Sequence, residues 1–137
     1  MTLRTYQNHA PTLGAGAFVD ASAVVIGDVE IGADSSVWPL TVIRGDMHRI
    51  RIGARTSVQD GCVLHITHAG PFNPDGFPLL IGDDVTIAHK VMLHGCTVGS
   101  PVKQIRALTD KERAFFTYSA ANYVKLKDLH LAEGFDR

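Results

Sequence analysis

The stretch FVDASAVVIGDVEIGADSSVWPLTVI, residues 18–43, determines the fold because its aliphatic side chains recur at one fixed interval. Val19, Val25, Ile31, Val37 and Ile43 follow one another at steps of six. A helix buries residues three and four apart, and a half-buried strand buries every second residue. A step of six is typical of very short strands joined by tight turns, each strand burying one aliphatic side chain.

The same step continues on both sides of this stretch and organises most of the chain. Three hexads close one triangular coil of about eighteen residues, and at least three stacked coils are needed to bury a core. The pattern therefore predicts an all-β solenoid, a parallel β-helix of hexapeptide repeats with about four coils, followed by a C-terminal α-helix. Twelve aliphatic residues keep the register: Leu13, Val19, Val25, Ile31, Val37, Ile43, Ile52, Val58, Leu64, Ile81, Ile87 and Leu93.

The chain of 137 residues is expected to form a single domain. We predict β-helix coils over residues 10–99 with a loop at 66–80, a linker at 100–108 and a terminal helix at 109–132. Thr109 and Glu112 form a capping box at the helix start. Five residues of this helix are expected to lie on the β-helix: Phe115, Tyr118, Ala121, Val124 and Leu129.

Composition argues against several classes of partner. The net charge is −1, so the chain lacks the basic excess expected of a protein that binds nucleic acid or an anionic membrane. No apolar run is long enough to span a bilayer, and the N-terminus lacks the apolar region of a signal peptide. Two cysteines do not make a disulfide framework. We therefore expect a cytoplasmic protein with reduced thiols.

Histidines fall at informative positions of the repeat. We call the three faces of the prism A, B and C, starting from Leu13 on face A. His65 and His94 each follow an inward residue of face C, so they should be neighbours in one outward column, one coil apart. Arg44 should precede them in that column. Two imidazoles in this arrangement can bind one metal ion, although a solvated or hydrogen-bonded pair is the alternative.

His89 lies near the corner between faces B and C and leaves a different side of the prism. One chain would struggle to close all three histidines around one ion. Two adjacent chains would not, since one could offer His65 and His94 and its neighbour His89. Three histidines plus water is the open geometry of catalytic zinc. His68 is a secondary candidate because it lies outside the column.

Four segments now identify a resemblance: "VIRGD" at 42–46, "VQDGCVLH" at 58–65, "IGDDVTIAHKVMLHGC" at 81–96 and "GSPVKQIR" at 99–106. Together they resemble the gamma-class carbonic anhydrase family, in particular its bacterial hexapeptide-repeat branch. The resemblance covers nearly the whole chain. It implies a left-handed β-helix, a homotrimer and a metal ion at each subunit interface. Zn²⁺ is the expected ion, and three imidazoles suit Fe²⁺ or Co²⁺ as well. The composition gives no reason to expect a nucleic-acid or membrane partner.

The same resemblance implies roles for individual residues. The family's metal ligands match His65, His89 and His94, with His89 supplied by the neighbouring subunit, and no further cofactor is implied. The catalytic set matches Gln59, Asp60 and Tyr123. For Asp60 a turn or interface salt bridge is the alternative, and for Tyr123 a packing role. The arginine and aspartate that pair across the trimer interface match Arg44 and Asp46. The implied activity is that of a carbonate dehydratase lyase, in which a metal-bound hydroxide converts CO2 to bicarbonate.

The chain departs from the family pattern in three places. Met47 stands where a proton-transfer glutamate is expected, and Ser57 replaces an asparagine. Several hexads that precede the "GSPVKQIR"-like exit in the family are missing after Gly99, where an aliphatic residue is expected. Either the chain has lost these coils, in which case the helix is expected to cap the last coil, or the sequence omits a segment. These departures favour a second hypothesis, a non-catalytic or weakly active trimeric metal-binding scaffold. A hexapeptide acyltransferase is a third and weaker alternative.

Overall fold

A computed structural model describes residues 2–99 and 110–132 of the chain. The first range contains twelve short strands and the second contains one helix. The strands are β1 Thr2–Arg4, β2 Thr12–Leu13, β3 Phe18–Val19, β4 Val24–Ile31, β5 Ser36–Val37, β6 Val42–Ile52, β7 Ser57–Val58, β8 Val63–His65, β9 Leu79–Ile81, β10 Thr86–Ile87, β11 Met92–His94 and β12 Thr97–Val98; the helix is α1 Asp110–Ala132.

All pairings between these strands are parallel, and they stack coil on coil as the hexad pattern predicts. Face B is the four-stranded sheet β3-β5-β7-β10, and face C is the run β1-β4-β6-β8-β11. Face A consists of β2, the later halves of β4 and β6, β9 and β12. The long strands β4 and β6 pass from face C to face A. The predicted β-solenoid with a C-terminal helix is confirmed.

The core of the prism is made of the predicted inward residues. Val25, Ile43, Val58 and Leu64 are fully buried, and they contact one another through the stacked coils. Burial weakens only at the two ends of the stack: Leu13 is 38% exposed in the first coils, and Leu93 is half-buried in the last. This pattern is expected for a solenoid, in which each coil is covered by its neighbours.

The solenoid has about five turns, rather than the four predicted. Leu3 pairs with Val25 and adds a strand before the first predicted hexad. At the other end Val98 pairs with Ile81, so the aliphatic position is filled five residues after Leu93 and not by Gly99. The hexad count missed both because one lies before the repeat and the other is out of step with it.

The two interruptions of the repeat are insertions that leave the coils in register. Gly27 pairs with Gly45, but Val29 pairs with Ile50, so extra residues bulge from β6 at 46–49. The strands approach closely there, since a Cβ on Gly27 would lie 2.3 Å from the Gly45 carbonyl oxygen. The second insertion, 66–80, folds back on itself through a bridge between Thr67 and Phe77.

Helix α1 lies along the outside of face B, where it contacts β5. The prediction that it caps the last coil is therefore wrong for the described residues. Lys127 is buried, and its Nζ donates to the Gly16 carbonyl oxygen at 2.8 Å, near the first coils. Tyr123 contacts Gln59 two coils further along, so α1 runs from the later coils back toward the first.

The predicted packing face of α1 also needs correction. Tyr118 and Leu129 are 68% and 63% exposed, and Ala121 is exposed, while Val124 is half-buried. The side chain of Phe115, the cap at Thr109 and Glu112, and the linker at 100–108 lie outside what the structure describes. The contacts with the solenoid come instead from Tyr123, Lys127 and His130. These three residues carry polar atoms, so hydrophobic spacing alone did not identify them as the packing face.

Candidate metal centre

His65 and His94 are neighbours on the outside of face C. They pair in register as the last residues of β8 and β11, and Arg44 pairs with His65 one coil earlier. Their ring centroids are 5.2 Å apart. An ion about 2.0–2.1 Å from one nitrogen lies about 3.2 Å from that ring's centroid, so two rings in tetrahedral coordination have centroids about 5.2 Å apart. The stacking of neighbouring strands, about 4.7–4.9 Å apart, sets this separation, and it is compatible with two ligands of one ion.

Both ring nitrogens of His65 already contact polar groups. Nε2 lies 3.0 Å from Asp46 Oδ1, and Nδ1 lies 3.5 Å from the Arg44 guanidinium. Arg44 also pairs with Asp46 within the same chain. Burial alone would raise the pKa of the Asp46 carboxyl, but hydrogen bonds from His65 and Arg44 and the charge of Arg44 lower it below its ordinary value. A metal ion at Nε2 would replace this Asp46 contact.

His89 lies in the turn between β10 and β11, at the corner of faces B and C. Its Nδ1 is 2.9 Å from Asp60 Oδ2, in the turn of the preceding coil, and both side chains are well exposed. Within residues 2–99 and 110–132, no group of three or more histidine, cysteine or acidic side chains converges to hold a metal ion. The single chain therefore brings His65 and His94 together and leaves His89 apart.

Gln59 lies on the outside of face B, directly after the inward residue Val58, and is 6% exposed. Its side-chain amide donates to the Tyr123 hydroxyl of α1. The fold thus brings together two residues of the predicted catalytic set that are 64 positions apart in sequence. Their catalytic roles remain predictions.

Sequence reasoning missed the aromatic cluster that seats α1. Trp38 is 5% exposed, and its ring lies 5.9 Å from Tyr123 and 5.0 Å from His130. Its indole Nε1 donates to the hydroxyls of Ser36 and Ser57, at 3.0 and 3.1 Å. Ser57, which replaces the expected asparagine, therefore holds the tryptophan. One sequence signal could have predicted this cluster. Trp38 immediately follows the inward residue Val37, so its side chain is expected to point outward from face B.

The structure also places His68 and Met47, which the sequence analysis singled out. His68 lies in the 66–80 loop beside a small cavity of about 110 Å³, outside the His65 column. Met47 is 56% exposed in the β6 bulge, where a cavity of about 350 Å³ separates that bulge from the N-terminal turn at Gln7 and His9. Neither residue contributes to the histidine pair.

Comparison with known proteins agrees with this architecture. A family profile described as "Bacterial transferase hexapeptide (six repeats)" matches residues 10–45. The chain is 45% identical to Protein YrdA of Escherichia coli (strain K12), over 96% of this chain and 95% of that protein. It is 34% and 31% identical to mitochondrial gamma carbonic anhydrases 1 and 3 of Arabidopsis thaliana, over 96% of this chain and 63% and 67% of theirs.

A crystal structure of a hexapeptide transferase family protein from Anaplasma phagocytophilum has the same fold. It aligns with a TM-score of 0.75 and 28% identity, over 93% of this chain and 96% of that one. The solenoid and its outward histidines define a hexapeptide-repeat protein. More narrowly, the chain belongs to the gamma carbonic anhydrase-like family of these proteins.

The alignments also show that this chain is shorter than its relatives in its interior. About 132 residues, 96% of the chain, align over 175 positions with YrdA, which leaves about 43 positions without a counterpart. The resemblance to the family predicts this gap after Gly99, just beyond the last described coil. None of the helical segments that the structure describes is long and apolar enough to cross a membrane.

Proposed function

We propose that the chain assembles as a homotrimer that binds one Zn²⁺ at each interface and interconverts CO2 and bicarbonate. The observation that carries this proposal is the 5.2 Å separation of the His65 and His94 rings on an outward face. A third ligand, His89, comes from the neighbouring subunit. The gamma carbonic anhydrases among the relatives support the activity.

An exposed apolar stripe beside the histidines supports assembly through face C. Val24, Val42, Val63 and Met92 pair in register and point outward, and Leu40 lies at the adjacent corner. Met92 and Leu40 are 76% and 71% exposed, and Val63 is 41% exposed. Burial of such side chains contributes about 25 cal/mol per Å² of apolar surface. A second copy is the proposed cover, because it would also complete the metal site with His89.

Zn²⁺ at this site would supply a Lewis acid that lowers the pKa of a coordinated water to about 7. The chain's own residues do the rest. His65, His94 and the neighbour's His89 hold the ion through neutral imidazole nitrogens. Gln59 would offer its side-chain carbonyl oxygen to orient the reacting water, because its amide group is engaged by Tyr123. Tyr123 thereby positions Gln59.

Arg44 and Asp46 are proposed to work at the interface. In the single chain they pair with each other next to His65. When His65 takes a metal, Asp46 loses its hydrogen bond from that ring. Arg44, which is 43% exposed, can then pair with an aspartate of the adjacent chain. Assembly and metal binding are therefore expected to favour each other.

Native mass spectrometry of protein purified without chelators tests assembly and metal content together. We expect a trimer with three metal ions, lost on dissociation. Co-expression of His89→Ala and His65→Ala chains tests whether sites are shared. Each homotrimer should bind none, whereas a mixed trimer contains one intact interface and should bind a single ion. A metal-free monomer, or mixed trimers without metal, would contradict the proposal. A CO2 hydration assay on the loaded trimer then tests turnover.

A non-catalytic metal-binding scaffold is the second candidate, and Met47 favours it. The position beside Asp46 has no carboxylate, and the 66–80 loop has no glutamate for proton transfer. A trimer that binds metal but hydrates CO2 no faster than the free ion would select the scaffold. Fe²⁺ or Co²⁺ as native metal is distinguished by metal analysis of the same sample, because three imidazoles suit all three ions.

The acyltransferase alternative rests on the family profile and on the transferase relatives of the same fold. It requires a catalytic histidine and a groove that takes an acyl carrier. A thermal melt with and without acetyl-CoA separates it from the metal-site proposal. We expect no shift of the melting temperature.

A further inference from the structure

We propose that Asp60 is a positioning residue that fixes the tautomer of His89, so that Nε2 is presented to a metal ion held by the neighbouring subunit. This inference rests on the proposed function and assigns Asp60 a role other than direct catalysis. The observation is the 2.9 Å contact between Asp60 Oδ2 and His89 Nδ1. A carboxylate accepts a hydrogen bond, so the ring must carry its proton on Nδ1. The lone pair of a neutral ring then lies on Nε2.

The backbone makes this contact a fixed feature of the coil stack. Asp60 and His89 occupy equivalent places in turns of successive coils at the corner of faces B and C. Gln59 N–H donates to the Ile87 carbonyl oxygen at 2.9 Å, and Lys90 N–H donates to the Asp60 carbonyl oxygen at 2.9 Å. These two bonds lie on either side of the pair. The main chain therefore stacks Asp60 and His89 one coil apart before any metal or partner arrives, which brings their side chains within reach of each other.

Energetics favour an orienting role over a stabilising one. The Asp60 and His89 side chains are 49% and 62% exposed. Exposed ion pairs contribute little to stability because water screens them and because ordering the side chains costs entropy. A carboxylate that holds a ligating histidine typically changes metal affinity by ten- to a hundredfold. The pair is therefore expected to matter for metal binding much more than for folding.

The Asp60–His89 pair differs from the Asp46–His65 pair in the ring nitrogen that faces the carboxylate. In His65 the nitrogen nearest the carboxylate of Asp46 is Nε2, and Nδ1 faces Arg44. The His65 ring must therefore give up its Asp46 contact when Nε2 binds a metal ion. His89 need not do so, because its carboxylate occupies Nδ1 only. His89 is preorganised, as expected for the one ligand that must reach across a subunit boundary.

Nitrogen-15 NMR of histidine-labelled, metal-free protein at pH 8 tests the tautomer directly and needs no activity. We expect the neutral His89 ring to carry its proton on Nδ1 in the wild type, and to become a mixture of tautomers in Asp60→Ala. A wild-type ring protonated on Nε2 would overturn the inference, whether or not the protein binds metal.

Zinc affinity, measured by competition with a chelator, tests the consequence. Asp60→Ala should weaken binding about ten- to hundredfold. Asp60→Asn keeps an acceptor oxygen and should recover most of the loss. Glu30→Gln removes one negative charge on face A and is the matched control, with unchanged affinity expected. The inference falls if Asp60→Ala binds zinc as tightly as wild type while His89→Ala does not. A wild type that binds no zinc at all overturns the proposed function as well.

Discussion

The side-chain amide of Gln59 donates to the hydroxyl of Tyr123, and this hydrogen bond joins the third coil of the solenoid to the terminal helix. Gln59 is 6% exposed, and Tyr123 packs edge-on against Trp38 at a centroid separation of 5.9 Å. The glutamine therefore cannot rotate freely. The helix that covers face B also determines which end of the Gln59 amide group points away from it.

Removal of this hydrogen bond tests its contribution to the site. In Tyr123→Phe the ring still packs on Trp38, but Gln59 loses its acceptor. A single hydrogen bond contributes about 0.5–1.5 kcal/mol, so kcat/KM for CO2 should fall about two- to twelvefold. Zinc content should be unchanged, because neither residue is a proposed ligand. Tyr118→Phe is the control, since Tyr118 is 68% exposed. Equal activity of Tyr123→Phe and wild type would show that Gln59 needs no partner.

Lys127 anchors α1 to the solenoid. Its side chain is 2% exposed, and Nζ contacts the Gly16 carbonyl oxygen at 2.8 Å, Asp128 at 2.7 Å and Asp34 at 3.6 Å. Lys127→Ala removes these contacts, and hydrogen bonds from a charged group contribute about 1.5–3 kcal/mol to stability. Hydrogen exchange should become faster along the described helix. Lys125→Ala, at an exposed position, should change neither exchange nor the melting temperature.

The apolar stripe on face C should control assembly. Val63→Glu places a carboxylate where a second copy is proposed to bury this surface, and burying an unpaired charge is costly. We expect a folded monomer by analytical ultracentrifugation, with the zinc lost. Leu129→Glu is the matched control, because Leu129 is 63% exposed on the helix and should tolerate the charge. A trimer that survives Val63→Glu would place the interface elsewhere.

The last coil leaves strand edges open in the part of the chain that the structure describes. Strands β10, β11 and β12 each end their sheet, and exposed edges are templates for pairing with another chain. We expect the protein to self-associate beyond its trimer at high concentration. Thr97→Lys puts a charge on the exposed edge strand β12 and should suppress this, whereas Tyr118→Lys, at an exposed position of helix α1 away from any strand edge, should not. Light scattering against concentration measures both.

The two thiols should differ in reactivity. Burial raises the pKa of the Cys62 thiol, and its Sγ donates to the Ala88 carbonyl oxygen at 3.1 Å. A raised pKa means that less thiolate is present at neutral pH, and the thiolate is the reactive form. Iodoacetamide at pH 7.5 should therefore label Cys96, which is partly exposed, well before Cys62. Mass spectrometry of the peptides reports both, and unfolding in urea should make the two rates similar.

Most of the solenoid was predictable from the sequence because each coil obeys a local rule. One aliphatic residue per hexad must enter the prism, so Val25, Ile43 and Leu64 could be placed, and His65 and His94 followed as neighbours. The coils at the two ends of the solenoid could not be predicted from the hexad spacing. Val98 is out of step with the repeat, and Leu3 precedes it, so register there depends on strand pairing.

The sequence by itself determined the period, the inward residues and the column that holds His65 and His94, because a stacked repeat converts spacing directly into position. Only the tertiary structure decided where α1 lies, which of its residues contact the sheet, and that Asp60 and Asp46 approach different nitrogens of their histidines. These features depend on side-chain directions and on contacts between segments far apart in the chain. No local periodicity encodes them.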